Sequence, residues 1–200
     1  MKTLSVLLCS LVIAGCASTT INAFKDPLFA EKRYHRVLIF VNSTNLGFRR
    51  PIEEAVAARF KRNDVDAIPS LKLMLPTRTW TKTDISKVAI ENNIDGVLIL
   101  EGGVLDYEER RISQPAQTHG QVSPYGTWSA TTYGGGYTTV YAPGLEFREI
   151  RLLDVRSGKV AWVASSFTGG NAFDDFNTVV NSLADTLVGK LVEDGLVKSP

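Results

Sequence analysis

Two carboxylates, Asp106 and Glu108, have the spacing that best suits acid–base chemistry. In a strand they share one face and Glu109 lies on the other, because successive side chains point to opposite faces. Two carboxylates on one face are the arrangement that glycoside hydrolysis uses. Two arginines follow directly, so balanced charges at a strand end are the simpler interpretation. A hydrolase assembled from Asp106, Glu108 and His119 is kept as an alternative.

The other residue types that carry chemistry form no known constellation. His35 and His119 are the only histidines, and neither belongs to a His-Glu-x-x-His metal motif. The chain contains no Gly-x-Ser-x-Gly elbow, and the glycines at 134–136 lack the Gly-Lys-Ser/Thr of a phosphate loop. The sequence therefore predicts no catalytic residue, no metal ligand and no cofactor-binding residue, and a protein that is not an enzyme.

The first fifteen residues have the pattern of a secretory leader. Lys2 is the only charge before Lys25, and residues 4–13 are almost entirely apolar. A basic start, an apolar stretch of roughly 7–15 residues and small residues at the cleavage site define a signal peptide. The apolar stretch is shorter than the about 20 residues that a membrane-spanning helix needs. We expect residues 1–15 to be a signal peptide.

The four residues Ile13-Ala14-Gly15-Cys16 resemble the lipobox of bacterial lipoproteins, in which an aliphatic and two small residues precede an acylated cysteine. The resemblance implies that Cys16 becomes the mature N-terminus and carries the lipid, with palmitate-type chains that hold the protein on a membrane. Two or more acyl chains give stable anchoring. Ala17, rather than Asp, follows the cysteine, which by resemblance to enterobacterial sorting implies the outer membrane, with the domain in the periplasm. A plain cleavage site beside an incidental cysteine is the alternative.

Composition describes what remains after processing. Hydrophobic residues make up 44% and charged residues 22% of the chain, which are values of a globular domain. Without Lys2, 21 basic side chains stand against 21 acidic ones, so nothing in the charge balance favours nucleic acid as a partner. Cys9 leaves with the leader and Cys16 carries lipid, which leaves no thiol for a disulfide or a thiolate metal site.

The middle of the chain alternates strands and helices. Residues 37–41 and 97–100 are continuous apolar runs, typical of strands covered on both faces, and 65–68 is a shorter strand. Helices are predicted from Pro51 to about residue 62 and over 83–92, after a loop at 42–47. This β-α-β-α-β order favours parallel pairing with helical crossovers. Residues 16–34 lack periodicity and are interpreted as a lipidated N-terminus and tether, followed by one domain over 35–197.

The last part of the chain no longer alternates strands and helices. Residues 145–155 and 159–167 are strand-like, and Ser157-Gly158 between them indicates a β-hairpin. An amphipathic helix follows from about Phe176, with Gly195 at its end. The fold class is thus α/β (α+β): β-α-β-α-β, a long insertion, a β-hairpin and a C-terminal helix, with one mixed sheet packed against helices.

The insertion at 113–143 interrupts the alternation of strands and helices and is rich in tyrosine and glycine. Its residues mirror one another about Gly135, which predicts a small hairpin turning there. Aromatic side chains offer a large amphipathic contact area. The candidate partner contacts are Tyr125, Trp128, Tyr133, Tyr137 and Tyr141. An extension that packs on its own sheet, or a membrane-spanning hairpin, are the alternatives.

Three stretches carry a resemblance to a family of envelope lipoprotein domains: RVLIFVNST at 36–44, NIDGVLILEG at 93–102 and EIRLLDVRSGKVAW at 149–162. They look like the small α/β domain of curli-secretion channel lipoproteins, of lipoprotein activators of penicillin-binding proteins, and of the N-terminus of the Tol-system propeller protein. The resemblance implies a binding or scaffolding module for other envelope proteins. A subunit of a homo-oligomeric export or assembly complex is the alternative.

Overall fold

The computed structural model describes residues 17–122, 128–171 and 174–198, and gives the backbone alone at 110, 112, 114, 117–122 and 128–133. The strands are β1 (Ser18–Lys25), β2 (Arg36–Val41), β3 (Asp66–Pro69), β4 (Gly96–Gln114), β5 (Gln117–Val122), β6 (Trp128–Tyr133), β7 (Gly136–Asp154) and β8 (Val160–Gly169). The helices are α1 (Leu46–Lys61), α2 (Lys82–Glu91) and α3 (Phe176–Glu193), with short 3-10 turns at Pro27–Phe29 and Ser70–Lys72.

Six strands form one mixed sheet in the order β1-β8-β7-β4-β2-β3. β2 lies parallel to both β3 and β4, as the β-α-β-α-β pattern predicts, and the other pairings are antiparallel. Helices α1 and α3 pack on one face around a core that includes Leu98 and Ile150. Helix α2 covers the β2–β4 part of the other face around Leu38 and Ile99. The predicted α/β fold class is confirmed.

The predicted tether is wrong over residues 18–25, because they form β1. This edge strand pairs along its whole length with β8, from Ser18 opposite Gly169 to Lys25 opposite Trp162. Ile21 and Ala23 pack against the α1–α3 core, and the Lys25 ammonium donates to the Asp194 carbonyl at 2.7 Å. The segment has no strong apolar run, so its strand character comes from a partner about 140 residues away in sequence.

Helix α1 begins earlier than Pro51, the residue predicted to start it. Asn45 caps the helix, and its side-chain oxygen accepts a hydrogen bond from the Phe48 amide at 3.2 Å. Pro51 therefore lies inside the helix, where its ring nitrogen cannot donate to the carbonyl one turn back. The predicted loop at 42–47 ends at residue 45 for the same reason.

Glu53, in α1, is fully buried. Its carboxylate accepts hydrogen bonds from Arg49 Nε at 2.7 Å, the Ser70 hydroxyl at 2.6 Å, and the amides of Val41 and Leu71 at 3.1 Å each. The guanidinium of Arg49 also lies over the Phe40 ring, 4.8 Å from its centroid. This network fixes α1 against the ends of β2 and β3.

The β7–β8 hairpin is confirmed, with residues 155–159 as its connection. Asp154 Oδ1 accepts from both the amide and the hydroxyl of Ser157 at 2.8 Å, while Lys32 lies 3.0 Å from Oδ2. Burial acts to raise the pKa of Asp154, but the bonds from Ser157 and Lys32 outweigh it and hold that pKa below its ordinary value. Burial, together with the Asp154 carboxylate, raises the pKa of Tyr34.

Candidate contact surface

Strands β4 and β7 continue past the end of the sheet as a two-stranded ribbon. The third strand, β8, pairs with β7 only as far as Gly144 opposite Gly169. β4 and β7 remain paired from Asp106 opposite Gly144 to Gln114 opposite Gly136. At 3.2–3.4 Å per residue, this ribbon extends about 25 Å beyond the sheet.

One face of the ribbon continues the face of the sheet that α1 and α3 cover. Leu105 and Leu145 are paired, and both pack in or against that core. Alternation then places Tyr107, Tyr141 and Tyr137 on the same face, farther out. These three side chains, the aromatic stripe, are 52%, 60% and 77% exposed. The same face is thus buried in the core at the base of the ribbon and exposed, with aromatic side chains, farther out.

The base of the ribbon is held by an aromatic cluster. The Phe48 ring, at the start of α1, lies 5.9 Å from that of Phe147 and 6.0 Å from that of Phe176, at the start of α3. Gly103 completes this packing, because a Cβ there would lie 2.6 Å from the Phe147 ring. The Gly170 amide also donates to the Pro143 carbonyl at 2.8 Å, so both ribbon strands are held where they leave the sheet.

The predicted hairpin about Gly135 is wrong in its pairing. Gly134 and Gly135 do adopt positive φ angles of 80° and 91° and reverse the chain. However, β6 before them pairs with β5 in a separate two-stranded sheet, whereas β7 after them pairs with β4. The residues that mirror one another about Gly135 therefore do not pair with one another, because β7 pairs instead with the longer strand β4.

The predicted contact residues fall into three groups. Tyr137 and Tyr141 lie on the aromatic stripe. Trp128 and Tyr133 lie in β6, of which the backbone alone is described, and Tyr125 lies outside the described residues. Tyr107 was missed by the sequence reasoning, and alternation from Leu105 along an extended β4 is the signal that could have found it. Cys16, the predicted lipid attachment site, also lies outside the described residues.

The acid–base candidates lie on the other face of the ribbon. Asp106 and Glu108 are both exposed and alternate with Tyr107 along β4, as expected for one strand face. Asp106 Oδ1 accepts a hydrogen bond from the Tyr107 amide at 2.8 Å. His119 is in β5, at a position where the backbone alone is described. The structure thus brings the two carboxylates onto one exposed surface.

Two surface depressions lie away from the aromatic stripe. One, of about 190 Å³, lies between α1 and α3 beside the ion pair of Arg59 with Asp185. The other, of about 140 Å³, includes Thr20 and Phe167 on the sheet face opposite α3. Within the described ranges, no three His, Cys, Asp or Glu side chains are grouped to hold a metal ion. Among those same residues, every helix is too short or too polar to cross a bilayer.

Comparison with known proteins shows a similarity of fold. No protein-family model matches the chain, and no curated protein is similar to it. A point variant of the PelC dodecamer from Paraburkholderia phytofirmans is similar over 87% of this chain and 98% of its own, with a TM-score of 0.50 and 16% identity. A second crystal form of that dodecamer has a TM-score of 0.48 at 15% identity, over 87% of this chain and 97% of its own.

Proposed function

We propose that this protein is a lipid-anchored module of the cell envelope that acts by binding, with the ribbon as its contact surface. The aromatic stripe carries the proposal. Tyr107, Tyr137 and Tyr141 are each more than half exposed on one face of a ribbon that the domain holds firmly at its base. Exposed aromatic side chains that share one face favour an interaction site, since tyrosine offers amphipathic area at low entropic cost.

The location in the proposal comes from the leader and from Cys16. The basic start, the apolar stretch and the lipobox-like residues 13–16 support export, acylation of Cys16 and attachment to the outer membrane, with the domain facing the periplasm. Mass spectrometry of the native N-terminus tests this part. We expect a diacylated Cys16 as the first residue. An unmodified cysteine, or a retained Met1, would contradict it.

Protection of the stripe from an aqueous reagent tests the contact surface. Thr139 lies on the stripe face, opposite Arg111, and is exposed, so Thr139→Cys adds a thiol without changing a tyrosine. Arg156→Cys, in the exposed connection at the far end of the sheet, is the matched control. With Cys9 removed and Cys16 acylated, each variant offers a single reactive thiol.

In isolated envelope membranes, we expect a water-soluble maleimide to label residue 156 readily and residue 139 poorly. After solubilisation and unfolding, both should react alike. Equal labelling of the two positions in intact membranes would show that the stripe faces water, and the proposal would fail.

We also propose a homo-oligomeric assembly, as the alternative form of the same envelope role. The favouring observation is the similarity of fold to PelC, a protein crystallised as a dodecamer. The mass of the lipidated protein in detergent, measured by light scattering, tests this. We expect a multiple of the chain mass, and a monomer at all concentrations would refute it.

A further inference from the structure

The ribbon and the start of the described chain leave the domain at the same end of the sheet. Ser18, the first residue of β1, pairs with Gly169 of β8, which pairs with Gly144 of β7, which pairs with Asp106 of β4. This row of four residues is the row from which the ribbon extends. β1 runs away from the ribbon, towards Lys25, so Ala17, the residue before Ser18, lies on the ribbon's side.

The chain next to Cys16 is fixed to the domain. The Ser182 hydroxyl, on α3, donates to the Ala17 carbonyl at 3.0 Å. Thr19 lies within hydrogen-bond distance of Ser182, at 2.8 Å, and of Thr168, at 2.9 Å. Consecutive Cα atoms are about 3.8 Å apart, so an acylated Cys16 is held within one residue's length of this attachment. If Cys16 carries the lipid, the membrane surface therefore lies beside the base of the ribbon and not at the end of a free tether.

The stripe has the chemistry of a membrane interface. Tyrosine is enriched at the level of the lipid headgroups, where its ring is buried and its hydroxyl stays hydrated. The same ribbon face carries one acid, Glu109, and one base, Arg111, so its charge is balanced. A face with balanced charge is compatible with zwitterionic headgroups, and we expect attraction to anionic lipid to contribute little to its binding.

We propose that the aromatic stripe lies in the interfacial layer of the same membrane that holds Cys16. This inference rests on the proposed function and names the partner of its contact surface. The ribbon, about 25 Å long, leaves the domain where the acyl chains enter the lipid. It thus orients the domain on the bilayer by a second contact besides the anchor.

Quenching by brominated lipid in protein-free vesicles tests the inference. The full lipidated protein, with an environment-sensitive fluorophore at Thr139→Cys or at the control Arg156→Cys, is reconstituted into phosphatidylethanolamine–phosphatidylcholine vesicles. We expect a blue shift and quenching at 139, neither at 156, and no change between low and high salt. A variant with all three stripe tyrosines changed to threonine, which keeps strand propensity, should float with the vesicles yet lose the shift at 139.

The outcomes separate this inference from the proposed function. If residue 139 is protected in native envelopes but reports water in pure lipid vesicles, the stripe contacts a protein or a second copy. The inference is then overturned while the contact surface stands. If the protein does not float with vesicles and Cys16→Ala changes nothing, the anchor itself is refuted, and this inference with it. Quenching at 139 and 156 alike would also overturn it.

Discussion

The buried pair Arg49–Glu53 offers the sharpest test of the core that holds the ribbon. Glu53 has no exposed surface, and its carboxylate accepts four hydrogen bonds of 2.6–3.1 Å. Removing one partner of a buried ion pair leaves an uncompensated charge, which costs about 3–5 kcal/mol. We expect Glu53→Gln and Arg49→Met each to lower the free energy of unfolding by about that amount.

The double variant distinguishes an ion pair from two independent polar contacts. With both charges gone, no uncompensated charge remains in the core. If the effects were independent, the double variant would lose about 6–10 kcal/mol, most of a typical domain's stability. We instead expect it to be close to the worse of the two single variants, because contacting residues in one network are strongly coupled.

Urea unfolding of the chain from residue 17 onward, followed by circular dichroism, measures these free energies. The slope of stability against urea must stay unchanged for the comparison to hold. Surface ion pairs are weakened by salt, whereas this buried pair should lose little in high salt. Strict additivity, or a loss below about 1 kcal/mol for each single variant, would refute the argument that the pair is buried and coupled.

Four further changes test other parts of the fold by the same unfolding measurement. Gly103→Ala places a Cβ 2.6 Å from the Phe147 ring and should lower the free energy of unfolding by about 1–3 kcal/mol. Gly189→Ala is the matched control, because Gly189 lies within α3 and an added Cβ there meets no atom within 4 Å. It should raise the free energy of unfolding by up to about 1 kcal/mol. Equal effects would mean that the ribbon base is not tightly packed. Asp154→Asn should destabilise most at neutral pH, and its difference from wild type should shrink as pH falls below about 4, because a carboxyl with a lowered folded pKa loses its stabilisation on protonation. A pH-independent difference would contradict this sign. Removing residues 17–26 should cost more than about 3 kcal/mol, since β1 is part of the sheet, while a free tether would cost nothing.

The elements that local sequence predicted are those whose signals lie within a few residues. Residues 37–41 and 97–100 were recognised as strands covered on both faces, because their apolar runs need no distant information. Helix α2 is another example, with Thr81 and Asp84 forming a capping box at its start. The Ser157-Gly158 pair likewise predicts the β7–β8 hairpin.

The elements that were missed depend on distant partners. The inner face of β1 has one large apolar residue, Ile21, so its apolar pattern is weak, and it is a strand because β8 provides its hydrogen bonds. The outer halves of β4 and β7 have no continuous apolar run, and each is extended because the other pairs with it. Glu53 is an acidic residue that the sequence alone would place at the surface. It is buried because Val41, at the end of β2, and Leu71, in the 3-10 turn, donate to its carboxylate.

From composition and short-range pattern, the sequence by itself predicts a leader with a lipobox-like cysteine, and it indicates an α/β domain and a surplus of aromatic residues near residue 135. Only the tertiary structure decided which tyrosines share a face and that Ala17 is held at the base of the ribbon. Both are consequences of strand register, since pairing between residues far apart in the chain sets which side chains point the same way and which ends of the sheet coincide.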